Sequence, residues 1–194
     1  MKKKLRFMIA LTVLLVLAVL LYYHFSNKTT SDNTGNSDDK TVVGEVDKIL
    51  SKDLDTSYPL TAREVVNLFT RIQKCYYNED CSSEDLVSLA FMATRLFDDE
   101  LNTNNPFDEY FSELQDDIAQ YKENGQTITR VIVDKSSDII YSTIDDIKYA
   151  SLNCIYYIKN NDSTQKTIET YALRKDDQGN WKILGWKLYE ESEE

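Results

Sequence analysis

At Gly125 the hydrophobic period of this 194-residue chain changes from helical to alternating, and that change alone decides the fold class. Before it, apolar residues return every three or four positions. Ala62, Val65, Val66, Phe69, Ile72 and Tyr76 make one helical face behind the capping box Thr61-Ala62-Arg63-Glu64. A second helix is predicted from Ser82 or Ser83, with the stripe Leu86, Leu89, Ala90, Ala93, Leu96 and Phe97. A third is predicted with Asn105 as cap, Pro106 at its first position and the stripe Phe107, Tyr110, Phe111, Leu114, Ile118 and Tyr121. After Gly125, the stretches 127–133, 139–143, 147–159, 166–174 and 181–189 are rich in Ile, Val, Thr, Tyr and Trp. Turn residues separate the last three at Asn160-Asn161-Asp162-Ser163 and Asp176-Asp177-Gln178-Gly179-Asn180, which predicts an antiparallel meander. Helices first and strands afterwards mean an α+β domain, about three helices packed on a curved antiparallel sheet.

The N-terminus obeys a different rule. Residues 7–25 are apolar apart from Thr12 and a Tyr22-Tyr23-His24 end, and Lys2, Lys3, Lys4 and Arg6 precede them. Nineteen residues at about 1.5 Å each roughly match a bilayer's hydrocarbon thickness. The basic cluster predicts an N-terminus inside and a C-terminal domain outside. A cleaved signal peptide fits less well, because the run is long and no small-x-small site follows it. The expected organisation is a cytoplasmic basic tail at 1–6, a transmembrane signal anchor at 7–25, a polar linker at 26–41 and an extracytoplasmic domain at 42–194. A short amphipathic stretch, Val42 to Leu54, opens that domain.

Charge and residue types narrow the chemistry. All four N-terminal bases lie before Phe7, which leaves 18 Lys and Arg against 33 Asp and Glu in the remainder. Such a surface repels phosphate backbones and argues against nucleic acid. The only histidine, His24, lies at the predicted membrane edge, so a Ser-His-Asp or Cys-His site is excluded from the domain. No zinc-ligand spacing and no calcium loop occur, so no metal and no cofactor are expected. Cys75 and Cys81 flank a predicted turn, where an exported domain could oxidise them to a disulfide.

The ending Tyr171-Ala-Leu-Arg-Lys-Asp-Asp-Gln-Gly-Asn-Trp181-Lys-Ile-Leu-Gly-Trp186-Lys-Leu188, following three helices, resembles the nuclear transport factor 2-like (cystatin-like, SnoaL-like) superfamily. Together with Arg63-Glu-Val-Val-Asn-Leu-Phe-Thr-Arg-Ile-Gln-Lys-Cys-Tyr-Tyr-Asn78, it is similar to bacterial membrane-anchored proteins of unknown function. The resemblance covers roughly residues 60–190. It implies a cone of helices and bent sheet around an apolar cavity. Some members of the superfamily run isomerase or dehydratase chemistry there; others, among them a membrane-anchored part of type IV secretion machines, use the fold only for interaction. Fold alone does not choose.

An enzymatic member needs an acid/base group inside the cone, often with a Tyr donor. Candidates are Tyr76, Tyr110, Tyr141, Tyr149, Tyr156 and Tyr157, with Asp138, Asp145, Asp146 and Glu169 as acids. No spacing singles out a pair. Strict alternation sets Trp181 and Ile183 on one face of the last strand and Leu184, Trp186 and Leu188 on the other, which makes the latter three a candidate interaction patch. The leading expectation is a non-enzymatic, membrane-tethered domain that binds an envelope protein or a small apolar ligand. The alternative is a cavity enzyme, marked by an enclosed carboxylate facing a Tyr hydroxyl.

Overall fold

A computed structural model describes residues 44–161 and 163–189. The basic tail, the apolar run at 7–25 and the linker lie outside the described residues. Among the described residues no helix is long and apolar enough to cross a membrane.

Among the described residues five helices precede five strands: α1 (Glu45–Leu50), α2 (Ala62–Asn78), α3 (Ser83–Thr94), α4 (Asp99–Asn104), α5 (Phe107–Glu123), β1 (Gln126–Val133), β2 (Ile140–Ile144), β3 (Ile147–Asn160), β4 (Ser163–Lys175) and β5 (Trp181–Leu188). The fold is α+β, helices on an antiparallel sheet; α1 falls in the short amphipathic stretch that opens the domain, and α4 is a short helix beyond the expected three. In α1, Ile49 buries completely, and Leu54 follows it into the core.

The long helices start where local chemistry favours it. Thr61 accepts from the Glu64 amide while Glu64 accepts from the Thr61 amide, so two otherwise orphaned donors are satisfied. Every member of the predicted α2 stripe is buried. Ser82 caps α3. The α5 start differs from expectation. Asn105 closes α4 through its amide and side chain, both donating to Leu101 O, so Pro106 takes the cap position.

The α3 stripe also ends early. The helix stops at Thr94, and the chain runs beside β5: Ile183 N donates to Leu96 O and Asp98 N to Ile183 O, each at 2.8 Å. This parallel bridge holds Phe97 against the sheet. Buried Asp98 then caps α4 and accepts from Arg174 of β4.

In the sheet, β1-β3-β4-β5 are neighbours, and β2 pairs with the first part of β3 while β1 pairs with the rest. Asp134 fills the junction, its carboxylate accepting from Asn153 N at 2.7 Å. Asp145 and Asp146 both take left-handed backbone, the signature of a tight hairpin turn between β2 and β3. The helix-facing side carries Ala150, Leu152, Cys154 and Tyr156 of β3 and Tyr171 and Leu173 of β4, all buried.

One irregularity overturns the strict alternation expected for β5. Leu173 pairs with Ile183 but Ala172 pairs with Gly185, so Leu184 is an extra residue, a β-bulge. The phase flips there. Trp186 falls opposite Tyr171 and Leu188 opposite Glu169, on the same inner face as Ile183. Leu184, Trp186 and Leu188 therefore do not share one outward face.

Candidate functional site

The bulge puts Trp186 over the interior, where it meets Phe69 at 5.3 Å, Phe97 at 5.9 Å and Tyr171 at 5.8 Å between ring centroids. Beside this cluster lies a cavity of about 280 Å³. Three elements build it. From α2, Phe69, Gln73, Tyr76 and Tyr77 project at three- and four-residue spacing, one helical face. From α5, Tyr110, Glu113, Leu114 and Asp117 do the same. Phe97, Leu101 and Asn105 close one side, and Gly185 with Trp186 forms the sheet wall.

The walls are mostly aromatic. Phe97 meets Phe69 and Tyr110 edge-on, at 5.4 and 5.5 Å. Tyr77 stacks on Tyr121 at 4.2 Å. The Tyr76 and Tyr110 hydroxyls are 3.5 Å apart. Burial holds both phenols neutral: it pushes Tyr110 up to about 12 and Tyr76 well above its ordinary value. Tyr77 is raised as well, by burial first and the Asp117 charge second.

A second polar feature lies deeper. The Tyr156 hydroxyl contacts the Tyr171 hydroxyl at 2.7 Å and reaches Gln73 Oε1 at 2.7 Å. Tyr171 donates to Glu169 Oε2 at 2.8 Å. Glu169, Tyr171 and Leu173 alternate along the inner face of β4, and Cys154 stands opposite Glu169, so the two tyrosine rings lean together across that pair. Burial raises the Glu169 carboxyl, and the tyrosine donors pull it back in part. This is a carboxylate within reach of a Tyr hydroxyl, yet neither residue lines the cavity. Tyr171 is 0% exposed, behind Phe69 and Trp186. Among the described residues, no buried side-chain oxygen or nitrogen lacks a partner. The chain Gln73–Tyr156–Tyr171–Glu169 runs from the cavity wall at Gln73 to half-buried Glu169.

Of the expected site residues, Tyr76 and Tyr110 meet at the cavity, and Tyr156 and Glu169 in the buried chain. Tyr141 packs on Trp181 at 5.7 Å, and Tyr149 and Tyr157 lie on the opposite sheet face. Asp138, Asp145 and Asp146 are exposed. Sequence spacing does not single out Tyr171, Gln73, Tyr77, Glu113 or Asp117 as site residues. The available signal was a polar residue inside an apolar stripe: Gln73 four positions after Phe69, and Glu113 and Asp117 three and seven after Tyr110. In the expected patch, Trp186 is 38% exposed and faces the cavity, while Leu188 is 62% exposed at the strand end.

All three cysteines are thiols. Cys81 Sγ points at Cys75 O, 3.6 Å away. Burial pushes Cys75 to about 11 and Cys154 to about 12, so neither is a nucleophile near neutrality. Among the described residues no cluster of three or more His, Cys, Asp or Glu could hold a metal ion.

A family model described as a domain of unknown function (DUF6715) matches residues 1–186. The chain belongs to that family. The match takes in the basic tail, the apolar run, the linker and nearly all of the α+β domain in one piece. No curated protein matches the chain significantly.

Proposed function

We propose that this DUF6715 protein is a membrane-tethered, extracytoplasmic domain that binds a small molecule and does no chemistry on it. The observation that carries the binding is the cavity of about 280 Å³ between α2, α5 and β5. That is near the lower end of small-ligand pockets, about 300–1,000 Å³. Rigid aromatic rings line it, with two amides, Gln73 and Asn105, at its walls. Such a mixture suits an apolar body oriented by a few polar contacts.

The tether is supported by the apolar run at 7–25, its basic flank and a family match that begins at residue 1. We read the helices and sheet as a cone of the nuclear transport factor 2-like kind. The support is the closing Trp181-Lys-Ile, whose Trp181 is buried.

A cavity enzyme of the isomerase or dehydratase type is the second reading. One observation favours it: the raised carboxyl of Glu169 beside the Tyr171 hydroxyl. Access to the Tyr171 hydroxyl counts against it, because an acid or base group must reach its substrate directly or through one water. Here Trp186 and Phe69 stand over Tyr171.

The test is titration of the domain with N-phenyl-1-naphthylamine, a neutral apolar fluorophore. One saturable site is expected, abolished by Leu101→Trp, which fills the cavity from α4. Absent saturation, or unchanged binding by the filled variant, overturns the reading.

A further inference from the structure

The cavity is aromatic and its charge has one sign. Glu113 and Asp117 sit one turn apart on α5, both exposed and both lining the cavity beside Tyr110 of the same helix. Among the described residues, neither has an ion-pair partner. Among the described residues no Lys, Arg or His lines the cavity. Lys122, further along the same helix, is held by Asp80 at 3.2 Å. The Asp117 charge reaches the Tyr77 phenol on the facing helix, so the carboxylate field extends across the opening.

Resting on the binding reading above, we propose that the ligand is an organic cation: an ammonium group carried on an apolar, preferably aromatic, body. The carboxylates of Glu113 and Asp117 hold the ammonium at the rim. The rings of Tyr77 and Tyr110 offer it their negative faces, an attraction that grows as water is excluded. The apolar body enters toward Phe69, Phe97 and Trp186. An anionic ligand of the same shape meets two unpaired carboxylates and is rejected. The surplus of acids over bases in the exported part raises the local concentration of cations and steers them in.

Three probes that share one body separate charge from fit: 3-phenylpropylammonium, 3-phenylpropan-1-ol and 3-phenylpropionate. Each is titrated against the intact domain and followed by tryptophan fluorescence, since Trp186 lines the cavity. The ammonium should bind about tenfold tighter than the alcohol, from one or two exposed ion pairs plus cation–π attraction. The carboxylate should bind more weakly than both. Added salt should erode the ammonium's advantage and leave the alcohol unchanged. The double variant Glu113→Gln, Asp117→Asn should reduce the ammonium to the level of the alcohol. Both positions are exposed, so the fold should be unaffected. Equal binding of ammonium and alcohol, or an advantage that survives the double variant, overturns the charge assignment while the cavity remains a binding site. No saturable binding of any probe overturns both.

Discussion

Replacing Tyr171 by Phe isolates the buried hydrogen-bond chain from the packing around it. The ring stays, with its contacts to Phe69 at 6.1 Å and Trp186 at 5.8 Å. Two hydrogen bonds go: the donation to Glu169 at 2.8 Å and the contact with Tyr156 at 2.7 Å. A bond to a charged acceptor contributes about 1.5–3 kcal/mol net and a neutral one about 1 kcal/mol. Two compensations reduce the sum. Tyr156 keeps Gln73, and half-buried Glu169 can take water in place of the lost donor. The expected loss is about 2 kcal/mol, read in urea melts at neutral pH with an unchanged slope. The loss should also depend on pH. Tyr171 holds the Glu169 carboxyl lower than burial alone would, so the variant raises it further. A carboxyl raised in the folded state contributes stability below its unfolded value, and that contribution is lost as pH rises through the folded value. The variant should therefore suffer more at pH 7 than at pH 4. A loss under about 0.5 kcal/mol at both pH values would refute the hydrogen-bond chain as a stabilising unit.

Glu169→Gln keeps an acceptor for Tyr171 and removes the half-buried charge, so the variant should gain on wild type as pH climbs above the ordinary carboxylate value of 4.5; paired urea melts across that range check it, and a constant difference counts against the raised carboxyl. Trp181, 7% exposed, should cost about 3–5 kcal/mol when cut to Ala, whereas Trp186, 38% exposed, should cost less; reversed values would mean that the two rings have been assigned the wrong environments. In the native, reduced domain, Cys81 should react first with an aromatic disulfide reagent and Cys75 and Cys154 only on unfolding; no reactive thiol at all would indicate a Cys75–Cys81 disulfide. Protease added to wall-stripped cells should digest the domain and spare residues 1–6, while full protection would reverse the orientation drawn from the basic cluster.

Most elements were legible where local chemistry marks their ends: the Thr61–Glu64 capping box, the Ser82 cap and the turns after Asn160 and Asp176. The two faces of β5 were not. A bulge needs no special residue here, and Leu184 looks like any strand leucine, so strict alternation puts Trp186 outward, whereas the pairing of Gly185 with Ala172 turns it inward. The bridge from Leu96 to Ile183 was hidden for a similar reason, because helix and extended segment share the same apolar residues. The Tyr156–Tyr171–Glu169 contacts depend on the β3–β4 register, which places Cys154 against Glu169. The turn at 160–163 constrains that register, but which side chains lean together is a matter of three-dimensional packing. Glu113 and Asp117 are exposed acids on an amphipathic helix. What singles them out is the cavity beside them, which only the facing helix and β5 complete.

The most direct examination of that cavity is a two-dimensional NMR titration of the α+β domain with 3-phenylpropan-1-ol. Saturating shifts should appear at the Trp186 indole N–H and the Gln73 and Asn105 side-chain amides, with the Trp181 indole unmoved. Shifts confined to the exposed Ile140, Ile144 and Ile147 of the β2–β3 hairpin, or scattered without saturation, would contradict a ligand site between α2, α5 and β5.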